Sequence, residues 1–272
     1  MILTRRFKLL GQWLAGRRNG VGLAELSRHL LAPLSRAKAK KFIVSLKEEG
    51  EYYVIYFQGM AEPLYYPKAA GLSSLYQVTS EIFDIADWHH YEIPETAIGA
   101  DDIVADCGAA EGLFSLKVAS VCRKVYAIEP LPLFITSLHK TLDPLSNAEI
   151  VPAALGARPG NAYLSDDGIM SVISERPTAT PVQVTTIDDL FFRQGRSMTY
   201  LKADLEGYEL EMLSGALETI RANRPRIAIT TYHQADHAAQ IEKFLLSIHP
   251  DYHILTKGIE ERAGAPVMLH AW

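Results

Sequence analysis

The sequence predicts an α/β fold, with an open, mostly parallel sheet and a small helical appendage at the N-terminus. Two stretches carry this prediction, because in each an apolar strand ends on an acidic residue, passes a glycine turn and opens into an amphipathic helix. They are IVADCGAAEGLF at 103–114 and YLKADLEGYEL at 200–210. A third apolar strand, 124–128, also ends on an acid. Strands that alternate with helices in this way form parallel sheets covered by helices on their faces.

Length and composition set the broad class. A chain of 272 residues is long enough for one large α/β domain with an appendage, and its 48% hydrophobic content is ordinary for a globular protein. The two cysteines exclude a disulfide framework and a cysteine-based zinc site, so we expect a reducing, cytoplasmic compartment. No apolar run reaches the roughly eighteen residues that suggest a spanning helix.

The N-terminal segment differs in charge from the rest of the chain. Residues 1–50 contain 11 Lys and Arg against 3 Asp and Glu, a net charge of +8, whereas residues 51–272 carry −13. We therefore predict a basic helical, winged appendage at 1–60 and the main domain at 61–272. Its first helix, 3–14, is compatible with peripheral contact to a membrane or another anionic surface. Basic charge is its only nucleic-acid signal, so a substrate-covering role or a homodimer contact is favoured.

The remaining pattern completes the order of elements. Residues 23–48 predict two helices and 51–58 a strand. Extra strands are expected on both sides of a loop at 166–177, which is long enough to cover a cofactor or substrate. A C-terminal hairpin, 252–256 with 266–272, is expected to add an antiparallel strand to the sheet. The pair His89-His90 has no metal spacing and is interpreted as a polar loop near the cleft.

The loop in the stretch 103–114 favours a particular kind of cofactor. Gly108 and Gly112 are predicted to let backbone N–H groups approach a ligand, with Asp106 at the strand end for a cation or a hydroxyl. The spacing D-x-G-x-x-x-G lacks the third glycine of a dinucleotide site, and Glu111 would repel a pyrophosphate. S-adenosylmethionine, with its ammonium and sulfonium, suits this turn better. Glu129, at the end of the next strand, occupies the position that binds ribose hydroxyls in nucleotide folds.

The second stretch predicts the reactive groups. Asp204 and Glu206 follow one strand and His233 follows the next, so all three are expected at the same carboxyl edge of the sheet. Either His233 or Asp204 is predicted to remove a proton from an acceptor, while Glu206 orients that acceptor. Alternatively, the three side chains hold a divalent cation such as magnesium or manganese, although no dedicated metal spacing is present. For Glu209, a helix-dipole role and a functional role are equally compatible with its position.

Six short motifs in order give the sequence a family resemblance. They are DCGAAEGLFSL, AIEP, VPAALG, VTTIDDL, LKADLEGYELEMLSGA and ITTYH. Over residues 76–272 the chain resembles the FkbM family of S-adenosylmethionine-dependent methyltransferases. The resemblance implies a Rossmann-like methyltransferase sheet and transfer of a methyl group to a hydroxyl of a sugar, a glycan or a natural product.

The resemblance also implies roles for individual positions. The methionine end of the cofactor would lie against Asp106, Gly108, Ala109 and Gly112. Glu129 would bind the ribose, and Ser171 would touch the cofactor. Two positions depart from the family pattern. Glu111 replaces the usual Asn or Ile of the first loop, and the motif E-x-H after the fifth strand lacks its acid, with Tyr232 preceding His233.

Three alternatives compete with a methyltransferase acting on a small molecule or glycan. An NAD-dependent oxidoreductase is disfavoured by the missing third glycine. A non-catalytic partner protein would be expected to lack one of the acids Asp106, Glu129 or Asp204, and all three are present. A nucleic-acid methyltransferase acting on base amines would carry an Asn/Asp-Pro-Pro-Tyr signature, which the chain lacks. This absence leaves methylation of ribose hydroxyls open as an alternative.

Overall fold

A seven-stranded sheet forms the centre of the protein, which we describe from a computed structural model over residues 2–164, 173–174, 180–234 and 236–272. Its strands are β4 (Ile103–Cys107), β5 (Lys124–Ile128), β6 (Ala148–Val151), β11 (Tyr200–Ala203), β12 (Arg226–Thr230), β13 (Ile254–Lys257) and β14 (Met268–Ala271). They lie in the order β13-β14-β12-β11-β4-β5-β6. β12, β11, β4, β5 and β6 run parallel, and β14 is antiparallel to both of its neighbours. The predicted α/β fold, including the antiparallel C-terminal strand, is confirmed.

Helices cover both faces of this sheet. They are α4 (Leu72–Phe83), α5 (Leu113–Ala119), α6 (Pro132–Leu142), α7 (Ile187–Leu190), α8 (Glu209–Ser214), α9 (Leu217–Asn223) and α10 (His237–Ile248). Successive strand residues point to opposite faces, so each strand supplies two cores. In β4, Val104 packs into one hydrophobic cluster and Ala105 into the other. This two-sided burial explains why the strands appear as continuous apolar runs in the sequence.

The N-terminal segment consists of three helices followed by an antiparallel sheet. The helices are α1 (Ile2–Leu14), α2 (Leu23–Leu31) and α3 (Ser35–Ala39), and the strands are β1 (Ile43–Glu49), β2 (Tyr52–Phe57) and β3 (Leu64–Pro67). The strand predicted at 51–58 is confirmed. The helix predicted up to residue 48 is wrong at its end, because β1 pairs with β2 through a turn in which Gly50 takes a φ of +52°. The domain boundary at residue 60 stays a prediction; β3 lies beyond it and pairs with β2.

The basic segment packs against a loop near the C-terminus, residues 258–264. Arg17 donates to the carbonyl of Ala263 at 2.5 Å, and Asn19 donates to the carbonyl of Gly258 at 3.0 Å. On the other side of α1, Phe7 and Leu14 are 66% and 69% exposed. The predicted contact of this segment with an anionic surface stays a prediction. Within the described residues, no helix has the length and apolar character needed to cross a membrane.

A second, smaller sheet lies beside the central one. Its strands are β7 (Ala154–Leu155), β8 (Gly160–Leu164), β9 (Ile173–Ser174) and β10 (Thr180–Thr185), in the order β7-β10-β8-β9. The extra strands predicted on both sides of the loop at 166–177 are thus confirmed. The loop itself, apart from residues 173–174, lies outside the described residues.

Candidate functional site

The two glycine loops of the central sheet border one cavity of about 370 Å³, which we call the loop cavity. This volume falls within the roughly 300–1,000 Å³ typical of small-molecule sites. Its ionisable walls are Glu111, Glu129, Asp204, Glu206 and His233, with Glu81 and Arg262 also in contact with it. Its apolar walls include Ile128, Pro130, Leu131, Phe134, Ala153 and Leu155. The cavity therefore has an acidic part and an apolar part.

The glycines of the first loop allow close packing inside the protein. Gly108 has a φ of +76°, and a Cβ there would lie 2.0 Å from the carbonyl oxygen of Asp204. Gly112 has a φ of +90°, and a Cβ there would lie 2.5 Å from Cδ2 of Leu138. Only glycine fits these positions, since both the backbone conformation and the space exclude a side chain.

The amides of this loop are used within the protein. The N–H groups of Gly108 and Ala109 both donate to the carbonyl of Ile128, at 3.0 and 3.1 Å. The N–H of Ala110 donates to the carboxylate of Glu129 at 2.9 Å. The loop folds back onto the end of β5 and uses these amides within the protein, and the predicted approach of its backbone to a ligand stays a prediction. A phosphate would find these three amides already occupied.

Asp106 lies behind the wall of the loop cavity. Its side chain is fully buried, with Oδ1 2.9 Å from Nζ of Lys202 and Oδ2 accepting a 2.7 Å hydrogen bond from Ser115. Burial disfavours the ammonium form of Lys202, but Asp106 and Asp204 outweigh burial and raise its pKa. Lys202 was not predicted as a site residue; its one signal in the sequence is a cation inside the apolar run YLKAD. Direct contact between Asp106 and a cofactor stays a prediction.

Two buried glutamates face the cavity from the first half of the sheet. Glu129 accepts hydrogen bonds from the N–H of Ala110 on one oxygen and from that of Leu131, at 2.8 Å, on the other. Burial nevertheless raises the pKa of Glu129 to about 7. Glu111 is 5% exposed, and burial raises its pKa to about 7 as well. Each carboxylate would be stabilised by a cationic or hydrogen-bond-donating ligand in the cavity.

The predicted reactive side chains come together at the edge of β11 and β12. Nε2 of His233 lies 3.3 Å from Oε2 of Glu206 and 3.8 Å from Oδ1 of Asp204. Asp204 also accepts hydrogen bonds from the hydroxyls of Tyr91, at 3.0 Å, and Thr230, at 3.1 Å. Burial alone would raise the pKa of Asp204, but Lys202 and His233 outweigh it and hold that pKa below its ordinary value.

Glu209 lies next to the imidazole of His233. It is fully buried, and its Oε1 lies 3.3 Å from Nδ1 of His233 and accepts a 2.9 Å hydrogen bond from the N–H of Leu205. Burial disfavours the imidazolium, but the carboxylates of Glu209 and Asp204 outweigh burial and raise the pKa of His233. Glu209 is thus placed to orient the imidazole as well as to begin α8.

A second cavity of about 520 Å³ adjoins the first, and we call it the N-terminal cavity. Four residues line both cavities: Gln77, Glu81, Tyr232 and Arg262. Its other walls come largely from the basic segment and from residues 87–89, including Arg5, Arg6, His29, Lys38, Asp87, Trp88 and His89. The rings of His29 and Trp88 are stacked with centroids 3.8 Å apart. Residues far apart in the chain therefore line a cavity that is adjacent to the loop cavity.

His89 belongs to this junction. Its ring lies edge-on to that of Tyr232, with centroids 5.1 Å apart, and its Nδ1 lies 3.8 Å from Oε1 of Glu81. The prediction that the His89-His90 pair lies near the cleft therefore agrees with the structure for His89. His90 is buried, and its Nδ1 lies 3.2 Å from the carbonyl oxygen of Glu81.

The structure thus sorts the predicted site residues into three groups. Gly108, Glu129, Asp204, Glu206 and His233 line the loop cavity. Asp106, Ala109 and Gly112 belong to the loop and strand behind its wall. Ser171 lies outside the described residues.

Comparison with known families gives a match over the centre of the chain. The model of the methyltransferase FkbM domain matches residues 106–253, which include both glycine loops and His233. Among curated protein sequences, no significant match was found.

Comparison with solved structures gives further similarities. The FkbM methyltransferase from Methylobacillus flagellatus KT is 21% identical, with a TM-score of 0.50 over 74% of this chain and 54% of its own. The chain thus spans about half of that relative, and the likeness shows a common fold. An rRNA methylase from Streptococcus thermophilus is 12% identical, with a TM-score of 0.43 over 65% of this chain and 89% of its own. Fibrillarin from Aeropyrum pernix, solved with S-adenosyl-L-methionine, is 13% identical, with a TM-score of 0.43 over 85% and 99%.

Proposed function

The chain belongs to the FkbM methyltransferase family, and from this premise we propose that it transfers the methyl group of S-adenosylmethionine to a hydroxyl oxygen of a sugar, a glycan or a natural product. The observation that carries the proposal is the charge of the loop cavity. Four carboxyl groups, those of Glu111, Glu129, Asp204 and Glu206, face one space. Such a site favours a ligand with positive charge, and S-adenosylmethionine carries two cationic groups.

The backbone of the first loop supports the same choice of cofactor. A dinucleotide needs free amides for its pyrophosphate. The amides of Gly108, Ala109 and Ala110 are already hydrogen-bonded within the protein, and Glu111 adds a carboxyl group beside them. These features disfavour an NAD-dependent oxidoreductase.

The two parts of the loop cavity suit the two ends of the donor. We place the ribose at Glu129, whose carboxylate oxygens each have a lone pair left after accepting one backbone hydrogen bond. The adenine then lies against the apolar wall formed by Leu131, Phe134 and Leu155. The methionine end, with its ammonium and sulfonium, extends along Gly108 toward Asp204.

We place the acceptor in the N-terminal cavity. Tyr232 and Glu81 line both cavities, so an acceptor there reaches the donor at these residues. The mixture of aromatic rings and charged groups around Trp88 and Lys38 suits a polar, hydroxylated molecule. Because α1 to α3 build much of this wall, we assign acceptor selection to the N-terminal segment.

The reaction is a displacement at the methyl carbon. The acceptor oxygen forms a bond to that carbon while the carbon–sulfur bond breaks, and its electron pair passes to sulfur to give a neutral thioether. The hydroxyl proton leaves through the group formed by Asp204, Glu206 and His233. Alignment of donor and acceptor supplies much of the acceleration, and removal of the proton contributes typically about 10²–10⁴-fold.

Isothermal titration of the full chain with S-adenosylmethionine, and separately with NAD, tests the cofactor. We expect micromolar binding of S-adenosylmethionine, and about tenfold weaker binding by Glu129→Gln because one carboxylate acceptor is lost. Glu218→Gln, which changes a half-exposed acid on α9, is the matched control and should bind like the parent protein. Binding of NAD alone, or of neither ligand, would overturn the proposal.

Transfer is then measured with methyl-labelled S-adenosylmethionine and a panel of hydroxylated sugars and polyketide-type compounds. Label that is stable to mild base and lies on an oxygen of the acceptor supports O-methylation. Label found only on a nucleic-acid base or a carbon atom would replace the hydroxyl acceptor with another class.

A further inference from the structure

Three potential metal ligands lie close together in the wall of the loop cavity. One side-chain atom from each of Asp204, Glu206 and His233 lies within 4.8 Å of the other two. They come from the ends of β11 and β12, which are adjacent parallel strands of the central sheet. The sheet, rather than a flexible loop alone, therefore fixes their separation.

His233 provides a second and independent observation. Its side chain is 9% exposed; Nδ1 lies 3.3 Å from Oε1 of Glu209, and Nε2 makes no hydrogen bond within the described part of the chain. Nε2 nevertheless lies between the carboxylates of Asp204 and Glu206, at 3.8 and 3.3 Å. A buried ring nitrogen without a hydrogen bond is costly unless another group completes its bonding.

The surroundings of His233 suit metal ligation. Glu209 is fully buried on the Nδ1 side, 3.3 Å away, and is itself held by the N–H of Leu205. A carboxylate behind a ligating histidine typically fixes the ring and leaves the other nitrogen for the metal. Tyr91 and Thr230 hold Asp204 in the same way by hydrogen bonds from their hydroxyls.

Carboxyl groups outnumber cationic groups around this cluster. Asp204, Glu206 and Glu209 surround one histidine, and the nearest buried ammonium, on Lys202, is 2.9 Å from Asp106. His237, 3.7 Å from the other oxygen of Glu209, is the further titratable group packed against this cluster. A dication would balance the carboxylates without moving any of these side chains far.

We propose that Asp204, Glu206 and His233 bind one divalent cation of the manganese or magnesium class. Two carboxylate oxygens and one imidazole nitrogen are suitable ligands for manganese, and magnesium would keep more of its water. All three residues line the loop cavity, so a ligand in that cavity would be close to the ion.

The role of this cation rests on the proposed function, although its binding does not. The acceptor oxygen would occupy an open position, where the metal lowers the pKa of the hydroxyl and orients it toward the donor methyl group. The proton then passes to water at Glu206, whose side chain is 39% exposed. His233 would in that case be a ligand and not the base.

Titration of the full, EDTA-dialysed chain with Mn²⁺, followed by the electron paramagnetic resonance signal of free Mn²⁺ and by calorimetry, tests the proposal. We expect one saturable site per chain, with binding at least tenfold weaker in Asp204→Asn and His233→Gln. Glu206→Gln changes a partly exposed side chain, so it tests the site without threatening the fold; it should weaken binding as well. Glu218→Gln should bind Mn²⁺ like the parent protein.

The absence of saturable binding, or equal binding by all three cluster variants, would overturn the metal site. Separate titration with S-adenosylmethionine distinguishes a failure of the metal site from a failure of the proposed function. A chain that binds the cofactor but not Mn²⁺ retains the proposed function and loses the metal. A chain that binds Mn²⁺ but not the cofactor retains the metal and loses the function.

Discussion

The two glycine loops of the central sheet look alike in sequence but hold their acids in different environments. Asp106 lies within β4, directly opposite Lys202 of β11, and is fully buried in an ion pair. Asp204 comes just after β11 and has a side chain that is 26% exposed to the loop cavity. The ammonium of Lys202 interacts electrostatically with both acids, and both raise its pKa.

The comparison shows that an acid at a strand end has two distinct uses. Asp106 joins β4 to β11: one of its oxygens forms an ion pair with Lys202, and the other accepts a hydrogen bond from Ser115. Asp204 stays partly exposed and accepts hydrogen bonds from the hydroxyls of Tyr91 and Thr230. We therefore expect changes at Asp106 to act on stability and changes at Asp204 to act on the reaction.

Lys202→Met should have the largest effect. It leaves Asp106 buried without its cation, which typically costs about 3–5 kcal/mol. The free energy of unfolding, measured by urea titration with circular dichroism, should fall by that amount. The double variant Asp106→Asn, Lys202→Met should recover part of the lost free energy of unfolding. If Lys202→Met alone lowers that free energy by less than about 1 kcal/mol, the two side chains are not coupled as the structure indicates.

Asp204→Asn should lower the rate of methyl transfer much more than it lowers stability. We expect methyl transfer to an acceptor found in the panel to fall by about 10²-fold or more, since the reactive group loses a charge. The free energy of unfolding should change by less than about 1 kcal/mol, as for other partly exposed positions. Asp106→Asn is the matched variant; if the two acids had the same role, both changes would lower stability and transfer alike.

The pH dependence of stability should sharpen the contrast at Glu111. An unfolded glutamate titrates near 4.5, whereas burial raises the pKa of Glu111 in the folded chain to about 7. Between these values the unfolded chain releases its proton while the folded chain keeps it, so stability falls as the pH rises. Relative to Glu111→Gln, the cofactor-free protein should lose about 2 kcal/mol from pH 5.5 to pH 8. Parallel unfolding curves for the two proteins across this range would contradict the assignment.

Ser115→Ala should have the smallest effect. It removes the 2.7 Å hydrogen bond to Asp106 but leaves the ion pair, so we expect a loss of about 1 kcal/mol in the free energy of unfolding. Transfer at a saturating concentration of S-adenosylmethionine should stay within about twofold of the parent rate, because Asp106 keeps its ion pair. A large loss of transfer with intact stability would place Asp106 in the reaction after all.

The parallel core was predictable because its signals are local. Apolar runs, turn glycines and helical periodicity mark β4, β5, β11 and the helices that follow them. The carboxyl edges of parallel strands coincide, so the meeting of Asp204, Glu206 and His233 also followed from the sequence. β1 was missed because its partner β2, and not its own residues, stabilises it as a strand.

The amino-acid sequence by itself determined the α/β fold, the family and the acids at the strand ends. Only the tertiary structure decided which acid is buried, because the register of β4 against β11 sets Asp106 opposite Lys202 and leaves Asp204 one step beyond. It also decided that the loop amides are used inside the protein and that the N-terminal segment walls a cavity beside His233. These features depend on contacts between residues far apart in the chain, which no local pattern records.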